Sequence, residues 1–228
     1  LTSVWRDAGL LLSQCCGRDL VTHLADVVTP VAIPSYRAAG CGRGTYRSWL
    51  VGRRGDPRDR LHDFAGTVAA VNDTGSHSGW VALGHALVSA GHAGRFFARA
   101  VRTGSHRASL AGIARGEADL AAVDCVTFAL VERAEPRLAA ELRIVAASEP
   151  APALPYVTGA GRADDERARV GAALADAVAD PALATTRTTL LIDAFLPVAG
   201  DPYARSVAMA EAAAPALDGL AAVLAPRG

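Results

Sequence analysis

The stretch from Val68 to Trp80 constrains this chain most. Val68-Ala69-Ala70-Val71 is a short apolar run with the character of a buried strand, and it stops at Asn72-Asp73. A small polar loop follows over residues 74–79, and from Trp80 apolar residues return at helical spacing through Val88. A strand, a Gly/Ser loop and a helix start together predict an anion site. The first turn of a helix has N–H groups with no intrahelical acceptor and a partial positive charge, and small residues let an oxyanion approach the backbone. Ser76 and Ser78 add hydroxyl donors. The simpler alternative is an ordinary helix cap, with Ser76 or Ser78 only closing the helix start.

A second loop with the same layout bears on that choice. Thr103-Gly104-Ser105-His106-Arg107-Ala108-Ser109 follows an apolar run over residues 96–101 and precedes a predicted helix over 108–115. In a βαβαβ series both loops would lie at the carboxyl edge of one parallel sheet, the edge at which open α/β sheets bind ligands.

Composition excludes several classes of partner. The 23 basic residues balance 23 acidic ones, so nothing suggests a nucleic-acid groove or a membrane-surface patch. Any anion site must be local, made of dipoles and a few side chains. No run of 18 or more apolar residues is present, so no transmembrane helix is expected, and no secretion signal is visible at Leu1. Cys15, Cys16, Cys41 and Cys125 show no Cys-x-x-Cys spacing, and the histidines do not cluster as zinc ligands would, so neither a metal nor a cofactor is expected.

Read in order, the sequence predicts the end of a helix over 3–7 and a short buried strand over 10–14 that turns at Cys16-Gly17. An extended segment over 27–33, a flexible loop over 38–44 and a strand over 46–51 follow. Residues 53–60 form a charged connection. After the two loops come a strand over 118–123 with Asp124 at its end, a helix over 126–133 and a strand over 142–146. Residues 150–156 form a proline-rich extended crossing. The remainder reads as helical over 164–180, 182–195 and 202–224. The fold class is therefore α/β in two lobes: residues 68–148 form one, and residues 1–67 and 149–228 form a discontinuous other. Two crossings join them, the architecture of a hinged binding protein with its ligand cleft between lobes.

Asp73-Thr74-Gly75-Ser76-His77-Ser78-Gly79, Thr103-Gly104-Ser105-His106-Arg107-Ala108-Ser109 and Ala118-Asp119-Leu120-Ala121-Ala122-Val123-Asp124 resemble the phosphate/phosphite/phosphonate substrate-binding proteins of ABC transporters. Gly40-Cys41, Tyr46-Arg47-Ser48 and Leu154-Pro155-Tyr156 fit the same resemblance, which runs in order over nearly the whole chain. It implies a type II periplasmic-binding-protein fold, a small oxyanion ligand, an ABC permease as partner and a periplasmic or extracytoplasmic location. Carried over, Tyr46 and Ser48 would donate from the first lobe, and Ser76, His77 and Ser78 through hydroxyls and backbone N–H groups. His106 would donate from the second loop, more strongly when protonated. Asp124 would accept a hydrogen bond from a protonated ligand oxygen or an amino substituent. Members usually begin with a strand, a helix and a second strand before the position matching Trp5; that portion is absent here, so the first lobe is expected to lack a central part of its sheet. Cys16 and Cys41 match cysteine positions of the resemblance, which implies a disulfide beside the cleft in an oxidising compartment.

Plainer roles stand beside these. His106 or Asp124 would serve as helix caps, and Tyr46 and Trp49 would simply pack. A sensor or accessory domain would use the same binding fold without transport. A hydrolase would need Cys125 or Ser105 with His106. No Gly-x-Ser-x-Gly elbow exists, and adjacent residues cannot make a nucleophile–base pair across a cleft.

Overall fold

The structure is a computed structural model that describes residues 2–225. In chain order its helices are α1 (Thr2–Trp5), α2 (Gly17–Thr22), α3 (Ala82–Ser89), α4 (His106–Arg115), α5 (Cys125–Ala134), α6 (Pro136–Ala140), α7 (Asp164–Ala179), α8 (Ala184–Leu190) and α9 (Ala204–Ala221). The strands are β1 (Ser13–Gln14), β2 (Val28–Tyr36), β3 (Thr45–Tyr46), β4 (Ser48–Arg53), β5 (Val68–Val71), β6 (Arg99–Arg102), β7 (Leu120–Asp124), β8 (Leu142–Ala147), β9 (Ala151–Pro152), β10 (Tyr156–Gly159) and β11 (Ile192–Leu196). The chain divides into two compact units. Unit 1 is Leu1–Tyr46 with Ala151–Val207, and unit 2 is Arg47–Pro150 with Ala208–Gly228.

Unit 2 holds a five-stranded sheet in the order β6-β5-β7-β4-β8. β5 pairs in parallel with β6 and β7, whereas β4 runs antiparallel to both β7 and β8. A straightforward parallel series was the expectation, and β4 interrupts it. The strand is captured there because its Leu50 and Val51 are fully buried between two strands that satisfy its backbone groups. On one face, Leu110 and Ile113 of α4 and Phe128 and Val131 of α5 form a core with Val51, Ala70, Ala121 and Val123. Each large aliphatic side chain buried there contributes about 1.5–3 kcal/mol. Behind α3, Gly84 lets Leu217 of α9 approach so closely that a Cβ at residue 84 would lie 2.5 Å from it. Gly219 likewise abuts the Gly94 backbone.

The unit boundaries therefore differ from the lobes read from sequence. Residues 47–67 lie with unit 2 through the pairing of β4, and most of α9 lies with it through these close glycine contacts.

Unit 1 has an antiparallel sheet in the order β1-β10-β2-β11 and a separate pair, β3-β9. β2 contains Pro30 and Pro34, yet it is central. β10 covers its first half and β11 its second, so each proline has a strand partner on one side.

Three expectations for unit 1 are corrected. Residues 10–14 do not form a buried strand. Only Ser13 and Gln14 pair, Leu11 is 58% exposed, and the Leu10 carbonyl instead accepts from Gly159 N, Thr158 Oγ1 and Arg162 Nε. The turn at Cys16-Gly17 is the start of α2. The helix expected through 195 stops at Leu191, whose left-handed φ of 60° ends α8, and Ile192 begins β11. Among the described residues no disulfide forms: Cys16 precedes α2 and Cys41 lies in a turn closed onto Ala38 O. No described helix is long and apolar enough to cross a membrane.

Candidate functional site

Because β5, β6 and β7 are parallel, their carboxyl ends share one edge of the unit 2 sheet. β4 is antiparallel to β7, so it begins at that edge, with Ser48 directly opposite Asp124. Sheet topology alone therefore brings together residues 72–81, residues 103–106, Asp124 and Ser48.

The loop after β5 does not enter an ordinary helix. Residues His77–Val81 form one π-turn before α3, with Ser76 as its N-cap, so the helical segment starts earlier than Trp80. Insertions of this kind widen a helix at functional sites. Gly79 is essential to it. A Cβ there would lie 1.8 Å from Asn72 Oδ1 and 3.2 Å from His106 Cε1, so Asn72, Gly79 and His106 are packed without room for a methyl group.

Ser76 is the cap, and its hydroxyl also joins the polar cluster. Its Oγ accepts from Gly79 N at 3.0 Å and from Asn72 Nδ2 at 3.1 Å, and Ser78 Oγ lies 3.4 Å away. Ser78 Oγ is 2.8 Å from His106 Nε2, and the same nitrogen is 3.5 Å from Asp124 Oδ2. A polar chain thus runs from Asn72 through Ser76, Ser78 and His106 to Asp124. His106 is the first residue of α4, and its side chain is only 12% exposed. Asp124 caps α5 through Oδ1, which accepts from Thr127 N at 2.8 Å, and turns Oδ2 to the histidine.

Burial pushes the His106 imidazole below its ordinary value of 6.5, and the Asp124 carboxylate and the nearby Ala122 backbone only partly oppose that. The ring is therefore neutral near pH 7, so it donates as a neutral imidazole and not in the stronger protonated form. Ser48 is 1% exposed, and its Oγ has no hydrogen-bond partner among the described residues. Its backbone is clamped by Ser148, through Ser48 N to Ser148 Oγ at 2.9 Å and Ser148 N to Ser48 O at 2.8 Å.

The arrangement is unsuited to hydrolysis. A catalytic triad holds its histidine by one ring nitrogen and uses the other as base. Here Ser78 and Asp124 share Nε2. Ser105 Oγ caps α4 by accepting from Ala108 N at 3.1 Å, and Cys125 is fully buried. Among the described residues no group of three His, Cys, Asp or Glu side chains could hold a metal ion. What the cluster can do is present hydroxyl and imidazole donors beside one carboxylate acceptor, a set suited to a tetrahedral oxyanion that carries a proton.

Of the residues singled out in the sequence, Ser48, Ser76, Ser78, His106 and Asp124 meet at this edge. Ser48 does so from unit 2, not from the first lobe as expected. His77 is 3% exposed, so its ring is part of the interior of the unit. Tyr46 is buried in β3 of unit 1, where it pairs with Ala151, and the site built here is that of unit 2 alone. Sequence reasoning missed Asn72, taking it only as the end of a strand. The available signal was its place, the first polar residue after β5 and four before Ser76.

Known structures share this fold. A Xanthomonas citri protein bound to ATP matches with a TM-score of 0.72 at 18% identity, over 96% of this chain and 83% of that one. A binding-protein component of an ABC phosphonate transporter from Pseudomonas aeruginosa matches with a TM-score of 0.72 at 18% identity, over 96% and 79%. PhnD1 from Prochlorococcus marinus, in complex with methylphosphonate, matches with a TM-score of 0.75 at 14% identity, over 92% and 80%. No curated protein sequence matches significantly. The family model for the phosphonate periplasmic substrate-binding protein of ABC transporters matches residues 20–203, most of the chain. With that match and the type II binding-protein fold in hand, the chain belongs to the phosphonate substrate-binding protein family of ABC transporters, a family of binding proteins and not of enzymes.

Proposed function

We propose that this protein captures a small phosphorus oxyanion (phosphate, phosphite or a phosphonate) outside the cytoplasm and delivers it to an ABC transporter permease. Ser48, Ser76, Ser78, His106 and Asp124 are its ligand contacts in unit 2. The observation that carries this reading is the chain of contacts at one sheet edge, Ser78 Oγ at 2.8 Å and Asp124 Oδ2 at 3.5 Å on the same His106 nitrogen. The methylphosphonate bound by the Prochlorococcus relative supports the ligand class.

Charge sets the preference within that class. With His106 neutral, Asp124 is the charged side chain among these five proposed contacts. A carboxylate repels a fully ionised anion and accepts from one that keeps a P–OH or carries an amino group. Sulfate, which has no proton near neutral pH, is excluded on this basis.

A thermal-shift panel of phosphate, phosphite, methylphosphonate and 2-aminoethylphosphonate, with sulfate as control, tests the reading. A ligand at about 100 times its Kd adds roughly 2.7 kcal/mol of stability. His106→Ala is expected to weaken every phosphorus oxyanion by about 1.5–3 kcal/mol, the value of a hydrogen bond to a charged group. Asp124→Asn keeps the α5 cap, since Asn caps as well as Asp. It should change selectivity, weakening ligands with a P–OH or amino group and sparing the others. A panel without any shift, or two variants that bind like the parent, overturns the assignment.

A further inference from the structure

We propose that Asn72 is a positioning residue of the oxyanion site, one that acts through Ser76 and ties the two ligand loops together. The proposal rests on the function proposed above and extends it to a residue that does not touch the ligand.

A serine hydroxyl has one proton to donate and two lone pairs to accept with. Ser76 Oγ accepts from Asn72 Nδ2 at 3.1 Å and from Gly79 N at 3.0 Å. Both acceptor positions are filled, so the remaining direction belongs to the proton. Ser78 Oγ, at 3.4 Å, is at the long limit for receiving it. An oxyanion resting on Ser76 and Ser78 is a better acceptor. Asn72 thus converts a freely rotating hydroxyl into a donor aimed before the ligand arrives, and so removes an ordering cost from binding.

The main chain of the same residue reaches the second loop. Asn72 O accepts from Gly104 N at 3.0 Å, directly after Val71 O accepts from Thr103 N at 2.8 Å. One residue therefore holds the Ser76 turn through its side chain and the loop that delivers His106 through its carbonyl.

The carboxamide also packs tightly against the π-turn. Gly79 is the residue on which it lies, since a Cβ there would meet Asn72 Oδ1 at 1.8 Å and Cγ at 2.8 Å. Oδ1 is buried and has no hydrogen-bond partner among the described residues. The reversed orientation would present the oxygen to Ser76, draw the hydroxyl proton toward Asn72 and turn it away from a ligand.

A double-mutant cycle separates positioning from mere stability. Calorimetric titration with inorganic phosphate and with methylphosphonate would compare the parent, Asn72→Ala, Ser76→Ala and the double variant. Each single change is expected to weaken binding about tenfold, and the double variant to bind about as weakly as Ser76→Ala alone, because Asn72 has nothing left to orient. A double variant about 100-fold weaker than the parent, the product of independent losses, overturns the proposal, as does parent-like binding by Asn72→Ala. Where the alanine variant does not fold, Asn72→Leu takes its place in the cycle. It has nearly the same shape but neither donates nor carries charge, so the same expectations apply, and parent-like binding by it overturns the proposal equally. Failure of the parent to bind either anion overturns the proposed function as well. Additive losses from a parent that binds overturn only the role of Asn72.

Discussion

The two loops at the carboxyl edge of the unit 2 sheet share a sequence layout and do different work. The loop after β5 directs its serines outward along the polar chain. Ser76 caps the π-turn and still holds a proton for a ligand, and Ser78 lies against His106. The loop after β6 keeps its hydroxyls for itself. Thr103 Oγ1 and Ser109 Oγ are 2.6 Å apart, Ser105 caps α4, and Arg107 is turned to a bidentate pair with Glu135 at 2.6 Å. Only His106 enters the site. The first loop supplies small donors, and the second is a rigid mount for one ring. The lesson is that Ser, Gly and His in similar spacing do not fix which groups face a ligand; the helix type and the capping residue decide that.

The glycines of the two loops separate these roles most sharply. Gly79 is needed for close approach, Gly104 for its φ of +84° with open space around it. Gly79→Ala is expected to be the most damaging single change at the site. Its methyl group must displace the Asn72 carboxamide or the π-turn, costing about 1–3 kcal/mol of stability and moving Ser76, Ser78 and His106 together. Binding of every panel anion should then fall below detection in a calorimetric titration that measures the parent. Gly104→Ala meets no atom and bears only left-handed strain of about 1–2 kcal/mol, read as a lower urea midpoint with affinity kept. Gly104→Asn, better suited to that conformation, should recover part of it. Equal losses of affinity at both glycines would break the distinction.

The serines give the next effect. Ser78→Ala removes a hydroxyl from the site and should weaken anion binding by about 1.5–3 kcal/mol while leaving the thermal midpoint near that of the parent. Ser105→Ala removes a cap and should do the reverse, costing about 0.5–2 kcal/mol of stability without changing Kd. A Ser105 variant with weakened binding and parent stability would show that the second loop offers more than its histidine.

The smallest effect is in pH. Burial depresses the His106 pKa in the folded chain, whereas the unfolded chain protonates near the ordinary 6.5. The unfolded state therefore holds more protons in the interval below 6.5, and stability falls there as pH decreases toward the depressed folded value. Asp124 Oδ2, Ser78 Oγ and the backbone of Ala122 are the groups that face the ring. Urea midpoints of the ligand-free protein between pH 7.5 and 5 should drop more for the parent than for His106→Asn, whose side chain does not titrate. Identical slopes would show that the histidine is not held in the buried, neutral state.

Local sequence determined much of unit 2. The apolar runs at 68–71 and 118–123 and the helices that follow the two loops were legible, because alternation of strands and helices with small polar punctuation has few compact solutions. The family followed from the same residues. What local pattern could not determine was decided by pairing and close packing. Ser48 sits opposite Asp124 because β4 is inserted antiparallel between β7 and β8, a long-range choice made by hydrogen bonding on both sides of the strand. β11 is a strand and not helix because β2 offers it a partner edge once Leu191 has ended α8. Asn72 could not be recognised as a site residue, since its part depends on the side chain lying over a glycine seven residues later and on a carbonyl that reaches the next loop. His106 reads in sequence as a donor that strengthens when protonated, and its burial in the folded chain pushes it further toward the neutral form. Sequence specified which groups are available; tertiary structure chose their direction and charge, because hydrogen-bond geometry and desolvation exist only after the strands have paired.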